Sequence, residues 1–233
     1  MKYEKICRGK FIERPNRFIA HVDIGGEICK AHVKNTGRCR ELLLSGAEVY
    51  LEDFTGRMGE RKLRYSLVAV QKGNMLVNMD SQAPNKVVRE ALESGRLLPA
   101  GFEAAELVKA EYKYGDSRLD FYVRDRAGRE ALAEVKGVTL EEDGIARFPD
   151  APTERGVKHI KELIKAKEEG YAACIIFVIQ MKGVKKFTPN YATHRQFGEM
   201  LCAAEEVGVE ILAYDCIAGK DFLTLDRPVE IAL

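Results

Sequence analysis

Asp120 and Glu134 each lie inside an apolar run, Arg118-Leu119-Asp120-Phe121 and Ala133-Glu134-Val135-Lys136-Gly137. A buried carboxylate is costly unless it is paired or binds a metal. The segment between the runs, Arg124-Asp125-Arg126-Ala127-Gly128-Arg129, is polar and carries a glycine. The two runs therefore read as an antiparallel hairpin, which returns Asp120 and Glu134 to each other's side. Lys136 follows Glu134 by two residues and so shares its strand face. Two carboxylates and a lysine in one place can hold Mg²⁺, a hard cation that keeps several waters, and can handle a phosphate. The metal would activate a water, and Lys136 would orient that water or offset developing charge. This is a nuclease-type constellation. The plainer alternative is an internal acid–lysine ion pair, and the clustering of all three residues favours the metal. Glu111, just ahead of the hairpin, is a further candidate acid for this metal or a second one, against an ordinary edge-strand surface acid.

Two other segments carry candidate phosphate contacts. Pro149-Asp150-Ala151-Pro152-Thr153-Glu154-Arg155-Gly156 opens a helix, whose N-terminus attracts anions. Arg155 and Lys158 lie one turn apart there and could grip a backbone phosphate, with His159 beside them; a solvated basic face is the competing reading. In His32-Val33-Lys34-Asn35-Thr36-Gly37-Arg38, a turn with free amides is surrounded by Lys34, Asn35, Thr36 and Arg38. It could meet a phosphate or the other domain's site, and its default role is a structural turn.

These residues need positioning elements. The first eighty residues read as short strands: Glu4–Ile12, Arg17–Ile24, Glu27–Val33, Ala47–Phe54, Leu63–Val70 and Met75–Met79. Arg14-Pro15-Asn16, Gly25-Gly26 and Lys72-Gly73-Asn74 are the turns among them. Five or six such strands suggest a small closed barrel of OB type. A helix over Pro84–Leu98 follows a boundary near Ser81–Pro84. Beyond it come strands at Glu111–Tyr114, Leu119–Val123 and Ala131–Lys136, then a helix from Thr153 to Glu169 with Thr153 as N-cap. A strand at Cys174–Gln180, a helix at Tyr191–Glu206 and a strand at Val209–Tyr214 complete an α/β sandwich around a mixed sheet. The chain is thus α+β with two domains, residues 1–81 and 82–233.

Composition narrows the classes. The net charge is +1, but residues 1–100 carry a balance of +6 and residues 101–233 one of −5. A basic front half suits phosphate contacts beside an acidic metal-binding half. Cys7, Cys29, Cys39, Cys174, Cys202 and Cys216 form no CxxC pair, which favours free thiols over a zinc site. The longest apolar run, Tyr171–Ile179, suits a buried strand and is too short for a bilayer. With no signal-like N-terminus, a cytoplasmic location without membrane association is expected.

The chain resembles the sugar fermentation stimulation protein (SfsA) family. The resemblance rests on His32–Gly37, Glu111–Gly115 with Ser117–Phe121, Glu134-Val135-Lys136-Gly137-Val138-Thr139-Leu140, Phe148–Gly156 and Gly208–Tyr214. It implies an N-terminal OB-fold that binds nucleic acid, joined to a PD-(D/E)xK nuclease-like domain. It also implies DNA binding and a Mg²⁺- or Mn²⁺-dependent site with Asp120, Glu134 and Lys136 as the triplet and Glu111 as an associated acid. The family's turn often continues from Asn-Thr-Gly to a small residue and Met; here Arg38-Cys39 follows, so a methionine is not required. The family name implies a regulatory link to sugar utilisation, and with no Trp there is no evident platform for a sugar ring.

The expectation is a metal-dependent deoxyribonuclease. The alternative is a non-catalytic, regulatory DNA-binding protein that keeps a nuclease fold, although no helix-turn-helix is apparent. Strand preference, exo or endo cleavage, metal number and pairing into a homodimer stay open at this level.

Overall fold

The computed structural model describes residues 1–35 and 37–233. Thr36 lies outside the described residues. The front half is built from β1 (Ile6–Asn16), β2 (Ile19–Ile24), β3 (Glu27–Val33), β4 (Glu48–Asp53), β5 (Tyr65–Lys72) and β6 (Met75–Asn78). Strand order β3-β2-β1-β4-β5, closed by a parallel β3–β5 pairing, makes a five-stranded OB-like barrel, and β6 adds to β5 as a hairpin. Alternation explains the closure: Ala20, Val22, Ala31 and Val33 point inward at no more than 1% exposure. The expected turn at Arg14-Pro15-Asn16 is corrected. Those residues end β1, and the turn falls at Arg17-Phe18. Register shifts between Phe11 and Glu13 and between Glu13 and Asn16 accommodate Pro15, which has no N–H for a ladder.

The helix α1 (Ala83–Glu93) follows, five residues shorter at its end than expected, because Gly95 at φ +71° turns the chain away. The back half then runs β7 (Leu107–Tyr114), β8 (Ser117–Arg124), β9 (Glu130–Val138), β10 (Leu140–Glu142), β11 (Ile145–Phe148), α2 (Glu154–Glu168), β12 (Ala172–Ile179), β13 (Lys186–Pro189), α3 (Tyr191–Glu206), β14 (Glu210–Ala218), β15 (Leu223–Pro228) and β16 (Glu230–Ile231). The main mixed sheet has the order β15-β14-β12-β9-β8-β7, and a smaller sheet has the order β10-β11-β13-β16. The main sheet is sandwiched. Cys174, Ile176 and Val178 pack towards α1, while Ile175, Phe177 and Ile179 pack towards α2 and α3. Thr153 caps α2, its hydroxyl accepting from Gly156 N at 3.0 Å.

The two halves share one continuous apolar core, and a buried polar network crosses their junction. Lys34 Nζ donates to Asp80 Oδ2 (2.6 Å), and Gln180 Nε2 donates to Asn78 O, Asn78 Oδ1 and Asp80 O, each at 3.1 Å. Lys72 Nζ donates to Glu141 Oε2 at 2.6 Å. All six cysteines are free. No helix among the described residues is long and apolar enough to cross a membrane.

Candidate active site

The β8–β9 ladder runs from Arg124↔Glu130 to Phe121↔Ala133 and stops there. The next register position would place Asp120 opposite Glu134. Instead of a ladder bond, Val135 N donates to Asp120 Oδ2 at 2.8 Å. The carboxylate thus takes the place of a strand partner, and the sheet opens where the acids sit. On its other edge β9 continues in parallel register with β12, from Ala131↔Ala172 to Val138↔Ile179. Gly137 ends the Glu-Val-Lys-Gly string because a Cβ there would lie 2.6 Å from Gln180 Oε1 and 2.8 Å from Pro84 Cγ.

The sequence-predicted triplet comes together. Lys136 Nζ donates to Glu134 Oε1 at 2.5 Å, and both side chains are largely enclosed. Asp120, half-buried, also accepts from Asn85 Nδ2 of α1 at 2.7 Å. A fourth group, not assigned to the site from sequence, completes it. His159 of α2, 5% exposed, donates from Nδ1 to the same Glu134 Oε1, while its Nε2 accepts from Arg155 Nε at 3.4 Å. A helical wheel could have found it: Gly156, His159, Ile160 and Leu163 form the buried stripe of α2. Asn85 had no comparable signal.

The electrostatics separate the two acids. Burial and the nearby Glu134 charge push Asp120 up to about 6, against the Val135 N–H, Asn85 and Lys136. Burial also pushes Glu134 up, but the His159 hydrogen bond and Lys136 outweigh it and hold Glu134 below its usual range. One acid is therefore firmly ionised while its neighbour takes a proton near neutrality. With Oε1 taken by Lys136 and His159, Glu134 Oε2 is buried without any hydrogen-bond partner. A bare buried carboxylate oxygen is unfavourable unless something polar occupies the space beside it.

The acids open into a cleft of about 690 Å³ whose walls include Ser81, Lys86, Glu111 and Arg155. Glu111 occupies the register position opposite Asp120, between the pairs Ala110↔Phe121 and Tyr112↔Leu119. Its backbone is left-handed at φ +56°, and its exposed side chain faces Arg118 at 3.7 Å. It borders the cleft without joining the acid pair. Among the described residues no group of three His, Cys, Asp or Glu side chains is arranged to hold a metal.

The other predicted phosphate contacts divide. Arg155 lines the cleft. Lys158 is exposed and donates to Asp116 O at 3.1 Å, outside the cleft lining. Lys34 is turned into the junction against Asp80. Arg14 holds the carbonyls of Asn35, at 2.6 Å, and Gly37, at 2.8 Å. Arg38 N donates to Asp150 Oδ2 at 3.1 Å, which ties it to the loop ahead of α2.

An OB-like barrel fused to an α/β sandwich around a mixed sheet, with paired acids where two strands part, defines the class of protein. Comparison with known proteins gives the family. Residues 12–79 match the SfsA N-terminal OB domain, and residues 82–221 match the sugar fermentation stimulation protein RE domain. The chain belongs to the sugar fermentation stimulation protein family. A homolog from Ruminiclostridium cellulolyticum is 54% identical over 100% of both chains, and one from Desulfitobacterium hafniense is 52% identical over 97% of this chain and 98% of the other. The solved structure of Pyrococcus furiosus SfsA in complex with Ca²⁺ is similar over 100% of this chain and 98% of that one, with a TM-score of 0.88 and 30% identity.

Proposed function

We propose that this protein is a divalent-metal-dependent nuclease acting on DNA, with Asp120, Glu134 and Lys136 as its PD-(D/E)xK triplet. The observation that carries the reading is the bare, buried Glu134 Oε2 beside Asp120. Two carboxylates are what Mg²⁺ or Mn²⁺ takes from a protein when waters and substrate phosphate complete its shell. The Pyrococcus relative's Ca²⁺ complex supports a site for a hard, oxygen-seeking cation. When bound, such an ion supplies charge stabilisation at the phosphate and a more acidic water.

The chain's own residues do the rest. Asp120, as its carboxylate, and Glu134 would hold the cation. His159 and Lys136 fix Glu134 through Oε1 and leave Oε2 without a partner. Lys136 has donors left after Glu134 and presents them to the attacking water or a phosphate oxygen. Arg155 and Lys86, on the cleft wall, bind flanking phosphates. A link to sugar utilisation would run through DNA. The test incubates the purified chain with single- and double-stranded DNA in Mg²⁺, Mn²⁺ or EDTA, alongside Glu134→Ala. Metal-dependent cleavage that disappears in the variant is expected. Binding without cleavage in every condition would replace this reading with a regulatory DNA-binding role.

A further inference from the structure

The two acids of the cleft are anchored from different parts of the chain. Glu134 is held by His159 of α2 and by Lys136 of its own strand. Asp120 is held by two elements, its Oδ2 accepting from Val135 N and its Oδ1 from Asn85 Nδ2. One bond alone would leave the carboxylate free to turn about its Cβ–Cγ axis; bonds to two separate elements fix its plane. An ionised carboxylate has about four lone-pair positions, so a position on each oxygen stays open to a cation.

Asn85 lies in the first turn of α1, and that turn is seated on both domains. On one side Pro84 packs on β9, where Gly137 leaves it room: a Cβ there would lie 2.8 Å from Pro84 Cγ. On the other side stands Asp80. Its Oδ1 accepts from Gln82 N at 2.9 Å, and its carbonyl accepts from Ala83 N at 3.0 Å. The same Asp80 takes Lys34 Nζ on Oδ2, and Lys34 O takes Ser81 Oγ at 2.9 Å. Lys34 directly follows β3 of the barrel. The Lys34 and Asp80 side chains are 13% and 0% exposed, so water competes little for these bonds. A barrel strand, a buried acid, a helical turn and an amide thus stand in hydrogen-bonded succession ahead of Asp120.

We infer that Asn85 is a positioning residue for Asp120, and that through it the barrel sets how tightly the cleft holds a divalent cation. Groups that orient a metal's ligands change its affinity without touching it, by about 10- to 100-fold. The order of the junction and the affinity of the cleft are then linked in both directions: a looser junction weakens the ion, and the ion tightens the junction. The inference rests on the nuclease reading for its cation, and its test uses neither DNA nor cleavage.

The full-length chain would be titrated with Mn²⁺ by calorimetry at pH 8, and its hydrogen–deuterium exchange followed with and without the ion. Asn85→Ala is expected to bind Mn²⁺ about 10- to 100-fold more weakly. Lys34→Met, at a residue outside the cleft lining, is expected to lose about threefold or more. In the Asn85→Ala background Lys34→Met should add no further loss, because the path is already cut. In the parent, Mn²⁺ should slow exchange in the segment holding the Gln82 and Ala83 amides, and in Asn85→Ala it should not. This exchange measurement needs no junction variant, so it decides the matter even if Lys34→Met fails to fold. Unchanged Mn²⁺ affinity in Asn85→Ala would overturn the inference. A loss in Asn85→Ala with no effect of the ion on the first turn of α1 would overturn the barrel's part in it. If the parent cleaves DNA with metal while Asn85→Ala binds Mn²⁺ normally, only this inference fails; if the parent binds no Mn²⁺ at all, the nuclease reading fails with it.

Discussion

Asp80 and Glu134 are both buried carboxylates held by a lysine, and they differ in how completely they are satisfied. Asp80, at the domain junction, is fully enclosed. Lys34 occupies Oδ2, Gln82 N donates to Oδ1 at 2.9 Å, and Gln180 saturates the carbonyls around it. Glu134 has two donors crowded on Oε1 and none on Oε2. The junction acid has nothing left to bind, so its charge serves to lock two domains together. The cleft acid is held by one oxygen so that the other stays free. Both are buried carboxylates, and the leftover valence separates a structural acid from one that takes a ligand.

The largest expected effect falls on the cleft. Glu134→Ala should lower metal-dependent DNA cleavage by about 10⁴-fold, equivalent to about 5.5 kcal/mol of transition-state stabilisation, while a filter-binding assay still detects DNA. Retained cleavage would place the chemistry elsewhere. At the junction the currency changes from rate to stability. Lys34→Met leaves Asp80 buried without its partner and should cost about 3–5 kcal/mol in a urea melt, with DNA affinity changed less than the melt implies. A stable Lys34→Met chain that no longer binds DNA would erase the contrast and return Lys34 to the DNA interface. His159→Ala sharpens the cleft side. Freed from its second donor, Glu134 should lose about 10- to 100-fold in Mn²⁺ affinity by calorimetry, and unchanged affinity would make His159 packing only.

What the sequence disclosed follows the range of the forces involved. Alternation and turns are local, so Glu27–Val33 and Tyr191–Glu206 are found with both ends in place. The triplet is legible because an acid inside an apolar strand is costly whatever surrounds it. The Asp143-Gly144 turn between β10 and β11 was available as a hairpin signal, but strands of three and four residues are too short to show a period. Pro15 misled in the other direction, since bulges let β1 carry it. The contacts that distinguish Asp80 from Glu134 were out of reach. Lys34 lies 46 positions from Asp80, and His159 lies 25 from Glu134. Nothing local in Lys34-Asn35-Thr36 says whether the lysine faces DNA or turns inward.

The smallest effect gives the finest version of the comparison. Asp120 has its carboxyl raised from 3.8 to about 6 by burial and by Glu134. Between those values the folded chain holds a proton that the unfolded chain has released, so stability falls as pH rises through that window, and above about pH 6 the full cost is present. Two units correspond to at most about 3 kcal/mol. Asp120→Asn removes the charge but also one acceptor, for Asn85 or Val135, which returns about 1 kcal/mol. In EDTA at pH 8 the variant should therefore melt about 1–2 kcal/mol more stably than the parent, with the advantage gone by about pH 4, where Asp120 is protonated in the folded chain and close to its midpoint in the unfolded one. Added Mn²⁺ should reverse the order, because only the parent gains the binding free energy of the ion. A junction acid would behave oppositely: neutralising Asp80 should destabilise at pH 8 with or without metal. If Asp120→Asn does the same, Asp120 belongs with Asp80 as a satisfied structural acid, and Glu134 stands alone in the cleft.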